Sequence, residues 1–206
     1  GFSVSTYLDV PRADMEQVLS EIKAQFEGAK IGVLYFAGHA FQFNGQNQLL
    51  AVDVDALTAE QINEKRVPLN EIISSVIADT DATESLRLVI VDACRNDPFS
   101  TLDDAFAGGL SYEEGNGTQT LVAYSTSAGA LALDGPRGGN GPYALALSRA
   151  LRSKGATVSS AMRSVRRDVR LATEGLQIPW VVGSIEIDPL IGPDAEAEQP
   201  EIQATD

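Results

Sequence analysis

The 206-residue chain contains a single cysteine and a single histidine. One cysteine excludes an internal disulfide framework and a cysteine-based zinc cluster, and one histidine excludes most histidine metal sites and the HExxH zinc motif. Any catalytic pair of cysteine and histidine in this chain must therefore be formed by Cys94 and His39.

Long apolar runs and positive charges are also scarce. No apolar run reaches the roughly 18 residues that a membrane-spanning helix needs. Fifteen Lys and Arg stand against 29 Asp and Glu, which gives a formal net charge of −14. Such a charge opposes nucleic-acid binding, whose affinity comes mainly from cations that meet phosphates. We therefore expect neither a membrane nor a nucleic acid as a partner.

The length favours one domain with an additional segment, since domains average about 150 residues. Residues 188–206 hold six Asp or Glu, three Pro and no Lys or Arg, a composition typical of a solvated, disordered segment. We expect a folded domain over 1–187 and an acidic linker or tail over 188–206. Because the chain begins with Gly-Phe-Ser instead of Met, we expect a processed or excised product.

Strand and helix signals alternate along the chain. Strands are predicted over four segments, of which the last three are expected to be buried: 2–10, 31–37, 86–91 and 120–125. Segment 31–37 is a continuous apolar run, which is typical of a strand buried on both faces. Helices are predicted over 15–26, 69–78 and 158–172 and from Pro142 onward. Asn44-Gly45 predicts a hairpin turn. The alternation predicts an α/β fold with a mainly parallel sheet.

His39 and Cys94 each lie just past the carboxyl end of a predicted buried strand. The reactive crevice of an open α/β sheet lies at these strand ends, so two adjacent parallel strands would bring the pair together. An imidazole activates a thiol because the thiolate is the nucleophile. The small neighbouring residues allow the backbone amides of Cys94 and Ala40 to bind an acyl oxyanion. The alternative is an inert buried cysteine and a structural histidine.

Two segments around these residues resemble the caspase-like clan of cysteine peptidases (peptidase family C14), most closely its bacterial, metacaspase-like members. They are YFAGH over 35–39 and VDACRNDPF over 91–99. The spacing between His39 and Cys94 is close to the separation of about 50 residues in caspases.

The resemblance implies a cysteine endopeptidase that acts on a protein or peptide substrate through a thioester, with Cys94 as nucleophile and His39 as general base. It also implies a three-layer sandwich with a mainly parallel, six-stranded sheet flanked by helices. The family's first strand is absent from this chain, so we expect a separate N-terminal segment or a second chain to complete the sheet. No cofactor is implied, although some metacaspases need calcium.

Asp92 matches a position that lines the first specificity pocket of metacaspase-like members, so the resemblance implies cleavage after Arg or Lys. A recessed carboxylate selects a cation, because a buried unpaired charge is costly. The alternative is that Asp92 only caps backbone amides at the strand end. The family's second pocket acid would lie in the loop after 120–125. Asp134 is the first carboxylate there, and it can serve only if the loop folds back.

Ala40 stands where the family usually has glycine. This departure, the missing first strand and the absence of a second pocket acid before Asp134 favour an alternative function, a catalytically weak or inactive caspase-like module with a regulatory or assembly role. No Lys or Arg lies between Arg95 and Arg137. An enzyme that cuts after basic residues could not process itself there, so we expect an uncut chain over 96–136.

Overall fold

The structure, a computed structural model, describes residues 1–53, 58–77, 85–94, 111–113, 119–130 and 132–194. Within these ranges one six-stranded sheet has the strand order β3-β2-β1-β4-β5-β6. The strands are β1 (Ile31–Phe43), β2 (Gln46–Leu50), β3 (Arg66–Pro68), β4 (Leu86–Cys94), β5 (Thr120–Tyr124) and β6 (Trp180–Ser184). The helices are α1 (Met15–Phe26), α2 (Ala59–Lys65), α3 (Leu69–Ile77), α4 (Pro142–Leu151) and α5 (Val158–Ala172). None of the described helices is long and apolar enough to cross a bilayer.

The sheet is parallel at its centre and antiparallel on both sides. β1, β4 and β5 run parallel, whereas the β1–β2, β2–β3 and β5–β6 pairs are antiparallel. The α/β sandwich is confirmed, but the expected mainly parallel sheet is corrected to a mixed one. One cause is the predicted hairpin, where Asn44 (φ 49°) and Gly45 (φ 76°) form a tight turn that reverses the chain. The other is the antiparallel pairing of β3 and β6, two strands for which the sequence has no clear signal.

Helices cover both faces of the sheet. On the α4–α5 face, Leu88 and Ile90 of β4 pack against these two helices. On the α1–α3 face, Val89 and Val91 pack against the other layer. Successive residues of a strand point to opposite faces, so the continuous apolar run of β4 supplies both cores. This strand is buried on both faces, as predicted.

The strand predicted over 2–10 does not form. Tyr7 instead donates a hydrogen bond to Glu21 of α1 at 3.0 Å, and Ser5 donates to Gln25 at 2.8 Å. A strand needs a partner edge for its backbone groups, and in the described part of the chain this segment lies along α1 without one. Phe2, Val4 and Leu8 are consequently exposed.

Over residues 31–38, β1 is paired on only one side. It pairs with β4 from Ile31 to His39, whereas β2 pairs only with residues 40–43. No described strand lies against the other edge of residues 31–38. The prediction that 31–37 is buried on both faces is wrong, because Tyr35 is 42% exposed and Ala37 is also exposed.

A buried arginine joins α1 to the sheet. Arg87 of β4 is 3% exposed and donates hydrogen bonds to the carbonyls of Phe26 (2.9 Å), Ala29 (3.0 Å) and Leu86 (3.0 Å). Its guanidinium lies 5.3 Å from the centroid of the Phe26 ring. Phe26 is the last residue of α1, where the partial negative charge of the helix end favours a cation.

The packed part of the chain continues past residue 187, the expected end of the domain. The Asp188 carboxylate accepts the backbone N–H of Ser159 in the first turn of α5 at 2.9 Å. Ile191 is buried in the α4–α5 core. These contacts correct the start of the expected tail, because an N-terminal cap and a core residue hold 188–191 against α5. Residues 195–206 lie outside the described ranges.

We expect Arg87→Met to lower the free energy of unfolding by about 2–3 kcal/mol, because one buried and two partly buried carbonyls lose a charged donor. Urea unfolding followed by circular dichroism measures this loss. Arg170→Met, on the exposed side of α5, is the matched control and should stay within about 0.5 kcal/mol of the parent. An Arg87→Met variant as stable as this control would contradict the proposed link.

Candidate active site

His39 and Cys94 lie side by side at the carboxyl ends of two parallel strands. They are the last register pair of the β1–β4 ladder, and adjacent strands are about 4.8 Å apart. His39 is exposed to solvent. Ala40, the next residue, is buried in the α1–α3 core and pairs with Leu49 of β2. The fold thus brings the two backbone positions together where the sequence predicts a Cys–His pair.

Asp92 lies two residues before the end of β4 and is partly buried. It shares this position, the recess, with Tyr35, Ser125 and Asp134. Its Oδ2 accepts a hydrogen bond from the phenol of Tyr35 at 2.7 Å. Burial raises the pKa of Asp92, the hydroxyls of Tyr35 and Ser125 lower it, and the charge of Asp134 raises it. The pKa of Asp92 therefore lies above the ordinary value for an aspartate. Burial, followed by the charge of Asp92, raises the pKa of Tyr35, so this phenol keeps its proton at neutral pH.

Asp134 comes close to Asp92 because its loop is fastened to the end of β5. Gln177, which is 0% exposed, donates through Nε2 to the Ser125 carbonyl at 2.8 Å. Its Oε1 accepts the Leu133 N–H at 3.1 Å. One side chain therefore joins the residue after β5 to the residue before Asp134. The loop folds back, which is the condition set above for Asp134.

Glycine allows the base of this loop to close. A Cβ atom on Gly135 would lie 2.2 Å from the carbonyl oxygen of Asn140, and one on Gly141 would lie 2.9 Å from the carbonyl oxygen of Leu133. Both distances are shorter than a carbon–oxygen contact permits, so only glycine fits. The glycine-rich stretch thus serves a close backbone contact beside the recess.

A short segment between β4 and β5 is fixed on the α1–α3 side of the molecule. The buried side chain of Asn47 donates to the Ser111 carbonyl at 2.7 Å and accepts the Ser111 N–H at 2.8 Å. The Glu113 carboxylate accepts the Asn47 N–H at 2.9 Å. Tyr112 stacks on Trp180, with 5.6 Å between the ring centroids. The segment therefore joins β2 to β6.

The remaining residues between β4 and β5 lie outside the described part of the chain. These are residues 95–110 and 114–118. The expected uncut connection over 96–136 falls largely on them and stays a prediction.

Two positions at the recess were not identified from the sequence. Tyr35 belongs to the quoted segment YFAGH, and strand alternation places it on the same face as His39, which is a signal that was available. Gln177 follows α5, far along the chain from its hydrogen-bond partners, and no local pattern marks it.

Among the residues that the structure describes, no group of three or more His, Cys, Asp or Glu is placed to hold a metal ion. Asp92 and Asp134 supply two carboxylates at the recess. The calcium requirement that the resemblance allows therefore has no candidate ligand set in that part of the chain.

A mixed sheet between two helical layers, with cysteine and histidine on adjacent strand ends, is the architecture of a caspase-like cysteine peptidase. The family model of the caspase domain matches residues 1–188. The chain belongs to the caspase domain family. The crystal structure of caspase-1 from Spodoptera frugiperda is similar, with a TM-score of 0.63 and 16% identity over 95% of this chain and 77% of that chain. At this identity the likeness confirms the fold alone. No curated protein matched the sequence.

We expect Gln177→Leu to lower the free energy of unfolding by about 1–3 kcal/mol, because it leaves a buried carbonyl and a partly buried N–H unpaired. Urea unfolding measures this change. Gln17→Leu, at an exposed position of α1, is the control and should have an effect within about 0.5 kcal/mol. Equal stability of the two variants would show that Gln177 does not hold the loop.

Proposed function

We propose that this chain is a cysteine endopeptidase with Cys94 as nucleophile and His39 as general base. One observation carries the proposal: in a chain of the caspase domain family, these two residues form the last register pair of adjacent parallel strands. Adjacent strands hold the two backbones about 4.8 Å apart, which supports this assignment because a nucleophile and its base must come within hydrogen-bonding reach.

The reaction begins when His39 takes the proton of the Cys94 thiol. The thiolate then attacks the scissile carbonyl carbon, and the backbone amides of Cys94 and Ala40 stabilise the oxyanion. When the C–N bond breaks, His39 returns the proton to the leaving amine and a thioester remains. Water then attacks the thioester, which releases the acid product and restores the thiol. The exposure of His39 allows it to exchange protons with solvent.

Asp92 and Asp134 support a preference for Arg or Lys immediately before the cut. The charge of Asp134 raises the pKa of Asp92, because the two carboxylates repel each other. A cation placed between them would remove this repulsion and regain the solvation that Asp92 loses by burial. A neutral or acidic side chain would offer neither benefit.

In a panel of reporter peptides that vary the residue before the cut, we expect turnover after Arg and Lys. Cys94→Ala should abolish it, and His39→Ala should lower the rate at least about a hundredfold. Asp92→Asn should reduce kcat/KM for Arg peptides about tenfold to a hundredfold, the effect of losing one charged hydrogen-bond partner.

Asp168→Asn makes the same charge change on α5, where Asp168 pairs with its neighbour Arg167, and should leave turnover unchanged. Turnover that persists in Cys94→Ala would exclude Cys94 as nucleophile. Turnover after uncharged residues would retain the nucleophile but overturn the pocket. No turnover with any peptide, with or without calcium, would favour the alternative of an inactive regulatory or assembly module.

We also propose that a separate N-terminal segment or a second chain completes the sheet along β1. The N–H of Leu86 donates to the Lys30 carbonyl at 2.8 Å. The alternation of a parallel ladder then directs the backbone groups of Val33, Tyr35 and Ala37 away from β4. This open, apolar edge is the kind of surface that natural proteins pair or cover.

Hydrogen exchange tests whether the edge is open. In this chain alone, the amides of Val33, Tyr35 and Ala37 should exchange faster than those of Leu34 and Phe36, which face β4. Protection that rises with protein concentration would indicate a second copy, and protection in a form that includes any residues encoded before Gly1 would indicate an N-terminal segment. Equal protection of all five amides in the isolated, dilute chain would contradict an open edge.

A further inference from the structure

A side-chain hydrogen bond connects the two strands that carry His39 and Cys94. Tyr35 precedes His39 on β1, and its phenol donates to Oδ2 of Asp92, which precedes Cys94 on β4, at 2.7 Å. Alternate residues of a strand share a face, so Tyr35 and His39 lie on the same side of β1. The bond therefore lies next to the candidate pair, four residues before His39 on β1 and two residues before Cys94 on β4.

The geometry around this bond fits a role beyond joining two strands. Tyr35 remains 42% exposed, so its ring borders open space beside the half-buried carboxylate. A carboxylate oxygen accepts two hydrogen bonds, so Oδ2 can hold the phenol and still accept a donor from a ligand. A cation bound to Asp92 would lie near the aromatic ring, an arrangement that is itself attractive.

We propose that Tyr35 is a positioning residue for the recognition of a cationic side chain. Its hydroxyl fixes the orientation of the Asp92 carboxylate, and its exposed aromatic ring contacts the bound cation. This inference rests on the proposed function for the identity of the cation as part of a substrate. It concerns a different residue and a different contact from the nucleophile and its base.

The groups around Asp92 determine how this role depends on pH. They are Tyr35 from β1, Ser125 after β5, Asp134 from the loop and Tyr143 from α4. Burial raises the pKa of Tyr143 and Tyr35, so both phenols stay neutral near pH 7. Because the Tyr35 hydroxyl lowers the pKa of Asp92, its removal should raise that pKa further. As the solution is acidified, Asp92 would then become protonated at a higher pH than in the parent protein. The site would release its cation at that higher pH.

The test uses agmatine, which carries the guanidinium of arginine without a peptide, and measures its affinity by NMR titration from mildly acidic to neutral pH. Cys94→Ala is the common background, so that no chemistry occurs and His39 is the same in every variant. The variants are Tyr35→Phe, Asp92→Asn and Tyr7→Phe. Tyr7 is the matched control because its phenol also donates to a carboxylate, that of Glu21, on the surface of α1.

We expect the background protein to bind agmatine and Asp92→Asn to lose binding. Tyr35→Phe should weaken binding about tenfold and move the midpoint of its pH dependence upward, whereas Tyr7→Phe should change neither. A Tyr35→Phe variant that binds like the background protein would overturn the inference. So would an equal loss of affinity at every pH, since that result would indicate a structural role alone.

Failure of this inference is distinguishable from failure of the proposed function. If the background protein does not bind agmatine but the active chain cleaves peptides through Cys94, the role of Tyr35 is excluded and the peptidase stands. If agmatine binds with the expected dependence on Tyr35 but no peptide is cleaved, the cation site stands and the result favours the inactive module over the peptidase.

Discussion

The parallel ladder between β1 and β4 determines where the main candidate site residues lie. Its register sets His39 opposite Cys94 and Ala37 opposite Asp92. A slip of one residue would turn every side chain of a strand to the other face, and the candidate pair would be separated. The core prevents such a slip, because Leu88 and Val89 are committed to opposite helical layers. Hydrophobic burial in the middle of the strand thus fixes the chemistry at its end.

The recess beside this ladder is assembled at a cost. Asp92 is partly removed from water near a second carboxylate, Asp134, and its pKa is raised as a result. Gln177 holds this arrangement through two hydrogen bonds to the backbone. Unfavourable charge placement that the surrounding structure maintains is typical of functional sites. A cation would relieve the repulsion between the carboxylates, so these electrostatics support the proposal of a cationic side chain before the cut.

Elements with a strong local signal could be predicted from the sequence: α1 from its apolar spacing, α4 from Pro142, and β4 from its continuous apolar run. β6 could not, since its five residues form a strand because they pair with β5. Segment 2–10 shows the converse. Its residues favour a strand, but in the described part of the chain no strand edge lies beside them to pair with. The same distinction applies to the site. Cys94 is marked by its local motif, whereas Gln177 reaches the recess only through the tertiary fold.

β1 has two properties that are connected physically. It carries His39 and Tyr35, and it is the central strand whose outer edge lacks a described partner over 31–38. A strand added there would hydrogen-bond to the backbone of Tyr35 itself and restrict the motion of the phenol that orients Asp92. On the proposals above, completing the sheet would therefore strengthen cation binding. Because binding free energies are coupled reciprocally, a bound cation would strengthen the added strand by the same factor.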